Sequence, residues 1–159
     1  MPTVETVTGQ SAPLFTLQNT EGKPYSLKQQ IGSKNIVILF FPLAFSSVCK
    51  DEFCHVRDNL SDYENLDAEV IGISVDSFFA LQEFKKQNDL NITLLSDFNK
   101  EACAAYGVLN YDFFGMNGVA RRAAFVVDKN GIIRHKEVLE DAGNHPDFNA
   151  ILSALQKLT

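Results

Sequence analysis

Two uninterrupted apolar runs, with a stretch of different period between them, do most to limit what this chain can fold into. Ile36, Val37, Ile38, Leu39, Phe40 and Phe41 are nearly all β-branched or aromatic, and Glu69-Val70-Ile71-Gly72-Ile73-Ser74-Val75 repeats that character further on. Short apolar runs without alternation suit strands buried on both faces of a sheet. Pro42 stops the first run because it has no N–H to give to a neighbour. From Lys50 onward Phe53, Val56, Leu60 and Tyr63 recur at three- and four-residue steps, which predicts one face of a helix over 50–66. Asp76 and Ser77 then offer N-caps to a second helix carrying Phe78, Leu81 and Phe84. This is a βαβα rhythm, in which the helical crossovers cover the sheet.

The rest of the chain adds antiparallel pieces. Leu14-Phe15-Thr16-Leu17 and Tyr25-Ser26-Leu27 flank the turn-rich Asn19-Thr20-Glu21-Gly22-Lys23-Pro24, so a small N-terminal β-hairpin is expected. Leu94-Leu95 reads as a brief extended piece, and 101–106 as a short helix that Gly107 ends. Residues 123–128 and 132–138 flank Lys129-Asn130-Gly131, a strong hairpin signal. Phe148, Ile151, Leu152, Leu155 and Leu158 share one face of a closing helix over 146–158. A strand-helix-strand first half followed by a hairpin and a terminal helix implies an α/β fold of thioredoxin-like arrangement, with a mixed central sheet, helices on both faces and the N-terminal hairpin. At 159 residues, with no repeat or low-complexity linker, residues 1–159 read as a single domain.

Charge and cysteine usage narrow the partners. The chain has 14 Lys+Arg against 20 Asp+Glu, a formal net charge of −6, and its basic residues are scattered, so nucleic acid is not an expected partner. Neither an export signal nor a run near the roughly 20 apolar residues of a membrane span is visible, so the expectation is a soluble, cytoplasmic protein with no membrane partner. Cys49, Cys54 and Cys103 are too few and too oddly spaced for a secreted disulfide scaffold. In a reducing compartment they are free thiols. Cys49 falls in the first turn of the predicted helix, where unpaired N–H groups and the positive end of the helix dipole favour a thiolate and are expected to lower its pKa.

Pro42-x-x-x-Ser46-x-x-Cys49 resembles the Pro-x-x-x-Thr/Ser-x-x-Cys motif of the peroxiredoxins, thiol peroxidases on a thioredoxin-like scaffold. Further segments are similar in the same order: Ala12-Pro13-Leu14-Phe15, Gly72-Ile73-Ser74-Val75-Asp76-Ser77, Leu94-Leu95-Ser96-Asp97, Ala105-Tyr106-Gly107-Val108 and Arg122-Ala123-Ala124-Phe125-Val126-Val127-Asp128. The stretch from Val126 to Arg134 looks most like the AhpE group, whereas Cys49-x-x-x-x-Cys54 matches the Q-type group, the bacterioferritin comigratory proteins. The resemblance implies that Cys49 is the peroxidatic nucleophile and that the backbone N–H groups of Val48 and Cys49 hold the peroxide. Ser46 stands where a Thr usually bonds the peroxide oxygens, and Pro42 would shield the site from water. Arg122 matches the active-site arginine, with Arg121 as the competing choice, and Glu52 matches a Glu that orients that arginine. No cofactor is implied. The substrate would be hydrogen peroxide or an organic hydroperoxide, and thioredoxin or a similar dithiol would return the electrons.

Residues five apart on a helix are separated by about 7.5 Å of rise and roughly 140° of rotation. A disulfide wants Cα atoms within about 4.4–6.8 Å, so Cys49 and Cys54 cannot bond while their helix is intact. If Cys54 resolves a Cys49 sulfenic acid, that helix must open. If Cys54 is only a small helical side chain, the enzyme is a one-cysteine peroxidase served by an external thiol. A redox sensor that hands its oxidation to a client protein is the rival from another class. Cys103, between Ala102 and Ala104, reads as structural filler or as a resolving or regulatory thiol. His55 beside Cys54 suggests a metal site only weakly, since the close Cys pair and a fourth ligand are missing, and no metal is expected. His135 and His145 read as solvated. The apolar loop Tyr111-Asp112-Phe113-Phe114-Gly115-Met116 is open to three readings: core packing, a homodimer contact or a collar for lipid peroxides.

Overall fold

The computed structural model describes residues 6–158. Strands β1 (Thr16–Asn19) and β2 (Pro24–Ser26) form the expected N-terminal hairpin, and a single helical turn, α1 (Leu27–Gln30), leads to β3 (Asn35–Phe40). Helices α2 (Ser47–Asp58) and α3 (Leu60–Glu64) cross over to β4 (Ala68–Ser74), and α4 (Phe78–Gln87) crosses to β5 (Thr93–Ser96). After α5 (Glu101–Ala105) come a two-residue ribbon, β6 (Leu109–Asn110) with β7 (Val119–Ala120), then β8 (Ala123–Val127), β9 (Ile133–Val138) and α6 (Phe148–Gln156). The main sheet runs β2-β1-β5-β4-β3-β8-β9. Its centre, β5-β4-β3, is parallel, and antiparallel strands flank it on both sides. The mixed sheet of the sequence reading is therefore the observed one.

The alternation of β3 divides the core. Ile36, Ile38 and Phe40 join a cluster with Tyr106, Phe125 and Cys103 on the α5 face. Val37, Leu39 and Phe41 join another with Phe53 of α2, Leu81 and Phe84 of α4, and Ile151 and Leu155 of α6. Every residue of β3 is buried, as a strand covered on both faces requires. Gly72 is placed by close approach rather than by a turn: a Cβ there would lie 2.7 Å from the Phe53 ring and 2.8 Å from Leu94, so its absence lets α2 settle onto β4.

Two local features depart from the sequence expectation. The helix predicted over 50–66 begins earlier, at Ser47, and is broken at Asn59, whose side chain donates to the His55 carbonyl at 2.8 Å and so competes with the helical ladder. The ribbon β6–β7 had no periodic signal, since two residues per strand carry none, and the 111–116 loop lies in the 111–118 connection between its strands. The Asn-Gly hairpin forms as expected, with Asp128 Oδ1 accepting from the N–H groups of Asn130 and Ile132, and Gly131 at φ 80°.

Candidate active site

The link from β3 to α2 carries the motif residues. Phe41 N–H still donates to the Ile73 carbonyl at 3.0 Å, and the buried Pro42 ends the ladder one residue later. Ala44 N–H is then held by Asp76 Oδ2 at 2.7 Å, an oxygen that also accepts from Ser74 Oγ at 2.7 Å. Asp76 thus ties the loop to the end of β4, while Ser77 caps α4 through Ala80 N–H. Phe45 follows at φ 70°, a conformation that L residues adopt at a cost. Ser46 is the N-cap of α2: its Oγ accepts from Cys49 N–H at 3.4 Å and donates to the Leu43 carbonyl at 3.3 Å. Its hydroxyl and the Cys49 amide, both expected to meet a peroxide, are bonded to each other here.

Arg122 gathers the rest. It precedes β8, is 1% exposed, and reaches across to α2. Its Nη2 lies 3.1 Å from Cys49 Sγ, its Nη1 pairs with Glu52 Oε1 at 2.5 Å, and its Nε donates to the Ala142 carbonyl at 2.9 Å. Cys49 and Glu52 are one turn apart on α2, so one planar fork bridges both. Arg121 gives its backbone N–H to the Val108 carbonyl and does not line the cleft described below. Between the two candidates, the contact with sulfur belongs to Arg122.

Burial sets the electrostatics. Cys49 is wholly buried, and desolvation pushes its thiol pKa up; the Arg122 charge and the hydrogen bonds from Ser46 and Arg122 oppose the rise, and the Glu52 carboxylate adds to it. The net direction is upward, which corrects the lowered pKa expected from the helix start alone. Glu52 is buried too, and loss of water moves its carboxyl up to about 7 against the pull of Arg122. Its second oxygen, Oε2, is buried without a partner among the described residues. One cation therefore serves two buried acids.

Cys54 lies further along the same unbroken helix and is partly exposed; all three cysteines are free. Cys103 sits on the far side of the sheet, where burial and the neighbouring Asp97 carboxylate push its thiol far above the ordinary range. His55 stacks on Phe148 with ring centroids 4.4 Å apart, and among the described residues no group of three or more His, Cys, Asp and Glu is placed to hold a metal. A cleft of about 540 Å³ opens over the site, floored by Ser46, Ser47, Val48 and Arg122 and walled by residues of 110–114 and 140–143. The 140–143 wall went unnoticed in the sequence because a short polar segment has no periodicity to mark it.

A model of the AhpC/TSA family matches residues 8–136, from before the N-terminal hairpin into β9. The chain belongs to this family, the peroxiredoxins. It is a thiol-dependent peroxidase, an oxidoreductase. Alkyl hydroperoxide reductase E of Mycobacterium tuberculosis is 37% identical over 153 residues, covering 95% of this chain and 97% of that protein. Among solved structures, the peroxidoxin BcpB of Mycobacterium tuberculosis superposes with a TM-score of 0.85 at 25% identity, covering 96% of this chain and 97% of that one. The reduced 2-Cys peroxiredoxin of Plasmodium vivax does so with a TM-score of 0.84 at 29% identity, covering 95% and 81%. These peroxiredoxin structures share the mixed sheet and its helical layers, so the thioredoxin-like fold read from the sequence is the fold of this protein.

Proposed function

We propose that Cys49 is the sulfur that reduces the peroxide, and that Arg122, Glu52, Ser46, Pro42 and the backbone N–H of Val48 form its surroundings. The observation that carries this is the 3.1 Å contact between Arg122 Nη2 and Cys49 Sγ at the start of α2, with Glu52 holding the other arm of the guanidinium. In the first step the sulfur attacks one peroxide oxygen, an S–O bond forms and the O–O bond breaks. The leaving oxygen takes the thiol proton and departs as an alcohol or water, leaving a sulfenic acid on Cys49. Charge grows on that leaving oxygen beside the Arg122 guanidinium, where a fixed cation lowers the barrier. When a peroxide enters, the Ser46 hydroxyl and the Cys49 amide exchange their mutual bond for bonds to it.

In the second step Cys54 attacks the Cys49 sulfur and expels water, giving a disulfide that thioredoxin or a similar dithiol reduces. Both cysteines stand on α2, so this step requires the helix to open between them. One observation favours the alternative, a one-cysteine cycle with an external thiol. Phe53, between the two cysteines, is wholly buried, with its ring 4.7 Å from that of Phe41. Mass spectrometry after one equivalent of peroxide decides between them: a Cys49–Cys54 link supports the two-cysteine cycle, and a persistent sulfenic acid without that link refutes it. Turnover with thioredoxin for the wild type, Cys49→Ser and Cys54→Ser tests the enzyme against a sensor, which would be oxidised only stoichiometrically.

The whole-length similarity to an alkyl hydroperoxide reductase E, together with the Cys49–Cys54 spacing, supports an AhpE-like member with a Q-type resolving cysteine, folded as one domain. Three free thiols fit the cytoplasm as its compartment, and among the described residues no helix is long and apolar enough to cross a membrane. Exposure of Tyr111, Phe114 and Met116 supports a homodimer contact through their loop, which light scattering tests directly.

A further inference from the structure

The charged residues on the walls of the cleft above Arg122 are all acidic. Asp112 on one wall and Glu140 and Asp141 on the other are exposed carboxylates, and among the described residues none is ion-paired. Asp112 and Asp141 are also fixed in place, since their Oδ1 atoms accept from Gly115 N–H at 3.0 Å and Gly143 N–H at 2.8 Å. The cation on the floor, Arg122, is already countered by Glu52. Lys50, on the first turn of α2, lines an adjoining hollow with Phe45 and Phe84 that shares Ser46 and Ser47 with the cleft, and it is not among the residues lining the cleft itself. The apolar part of the wall comes from Phe113 and Phe114, the latter 90% exposed.

We infer that Asp112, Glu140 and Asp141 determine substrate choice by charge: the cleft admits uncharged, apolar hydroperoxides and turns away those that carry a carboxylate. This rests on the proposed role of Cys49 and adds the class of peroxide that reaches it. The aromatic wall offers apolar contact to an alkyl group, while an acid group on that alkyl chain passes three carboxylates on the walls, two of them held in place by hydrogen bonds. At roughly 9 Å in a water-like medium each carboxylate disfavours an entering anion about twofold, which compounds to close to tenfold for three. The discrimination is confined to low ionic strength, because the Debye length falls from about 30 Å at 0.01 M salt to about 3 Å at 1 M.

The test compares a carboxylated tertiary alkyl hydroperoxide with its methyl ester in single-turnover oxidation of the wild-type enzyme, each rate divided by that of the same peroxide with free cysteine thiolate. The ester is expected to react about tenfold faster than the acid at low salt, and the ratio to approach one at about 1 M salt. In D112N/E140Q/D141N, which keeps the amide acceptors for Gly115 and Gly143, the ratio is expected near one at both salt levels. A wild-type ratio near one at low salt overturns the inference, as does a preference for the acid or a ratio that salt leaves unchanged. The salt series needs no variant, so a triple variant that fails to fold leaves the test intact. If neither peroxide oxidises Cys49 while the chain is folded, the peroxidase role of Cys49 falls and the charge selection falls with it; a reacting but indifferent enzyme removes the charge selection alone.

Discussion

Replacing Glu52 with Gln isolates the competition for Arg122. Gln keeps a carbonyl oxygen where Glu52 Oε1 meets Nη1, so the guanidinium retains an acceptor, and what disappears is one buried negative charge near Cys49. The carboxylate and the thiolate stand one helical turn apart, roughly 6 Å, and at an effective dielectric constant of about 20 their bare repulsion is about 3 kcal/mol, which the Arg122 guanidinium between them offsets in part. The Cys49 pKa is therefore expected to fall in Glu52→Gln, read from thiolate absorbance during a pH titration of a Cys54→Ser, Cys103→Ser background. The same change alters stability. Burial raises the Glu52 carboxyl from 4.5 to about 7 in the folded state, so its neutral form is favoured by folding. That contribution is fully present below the unfolded value and is lost as pH rises through about 7, some 3 kcal/mol in all. Urea unfolding from pH 4 to 8 should show this loss in the wild type and not in Glu52→Gln. A Cys49 pKa that is unchanged or higher in the variant refutes the charge argument, and identical pH slopes refute the burial argument.

Arg122→Ala is expected to lower the peroxide rate by about 100-fold or more, while Arg121→Ala leaves it within about twofold; stopped-flow oxidation compares them, and the reverse order means the contact with sulfur is irrelevant. Ser46→Ala removes the N-cap of α2 and should cost about 1 kcal/mol in chemical denaturation, with no loss if the 3.4 Å bond to Cys49 N–H contributes nothing. Gly72→Ala drives a methyl into Phe53 and Leu94 and should destabilise by about 1–3 kcal/mol, detected as a lower Tm. Cys103 should resist a thiol-alkylating reagent under native conditions while Cys54 reacts, as peptide mapping would show; rapid native labelling of Cys103 contradicts its burial beside Asp97.

What the sequence determined by itself is what local patterns encode. Continuous β-branched runs gave two central parallel strands, a 3.6-residue period gave the helices on their faces, and Asn130-Gly131 gave the β8–β9 hairpin. The spacing from Pro42 to Cys49 placed a thiol at a helix start, because strand stop, cap and first turn are all read within a few residues. Tertiary structure decided what depends on distance through space. Arg122 rather than Arg121 meets sulfur because β8 packs beside β3 and aims that side chain at α2. Asp76, an N-cap candidate by sequence, instead holds Ala44, 32 residues away. The sign of the Cys49 pKa shift turned on burial, a property of the assembled core that a helix dipole argument does not contain. The acidic cleft likewise exists only once 112 and 140–141 are folded to opposite walls. Periodicity is a one-dimensional signal of which face a residue takes; charge, desolvation and cleft shape are sums over neighbours that the chain brings together only when it folds.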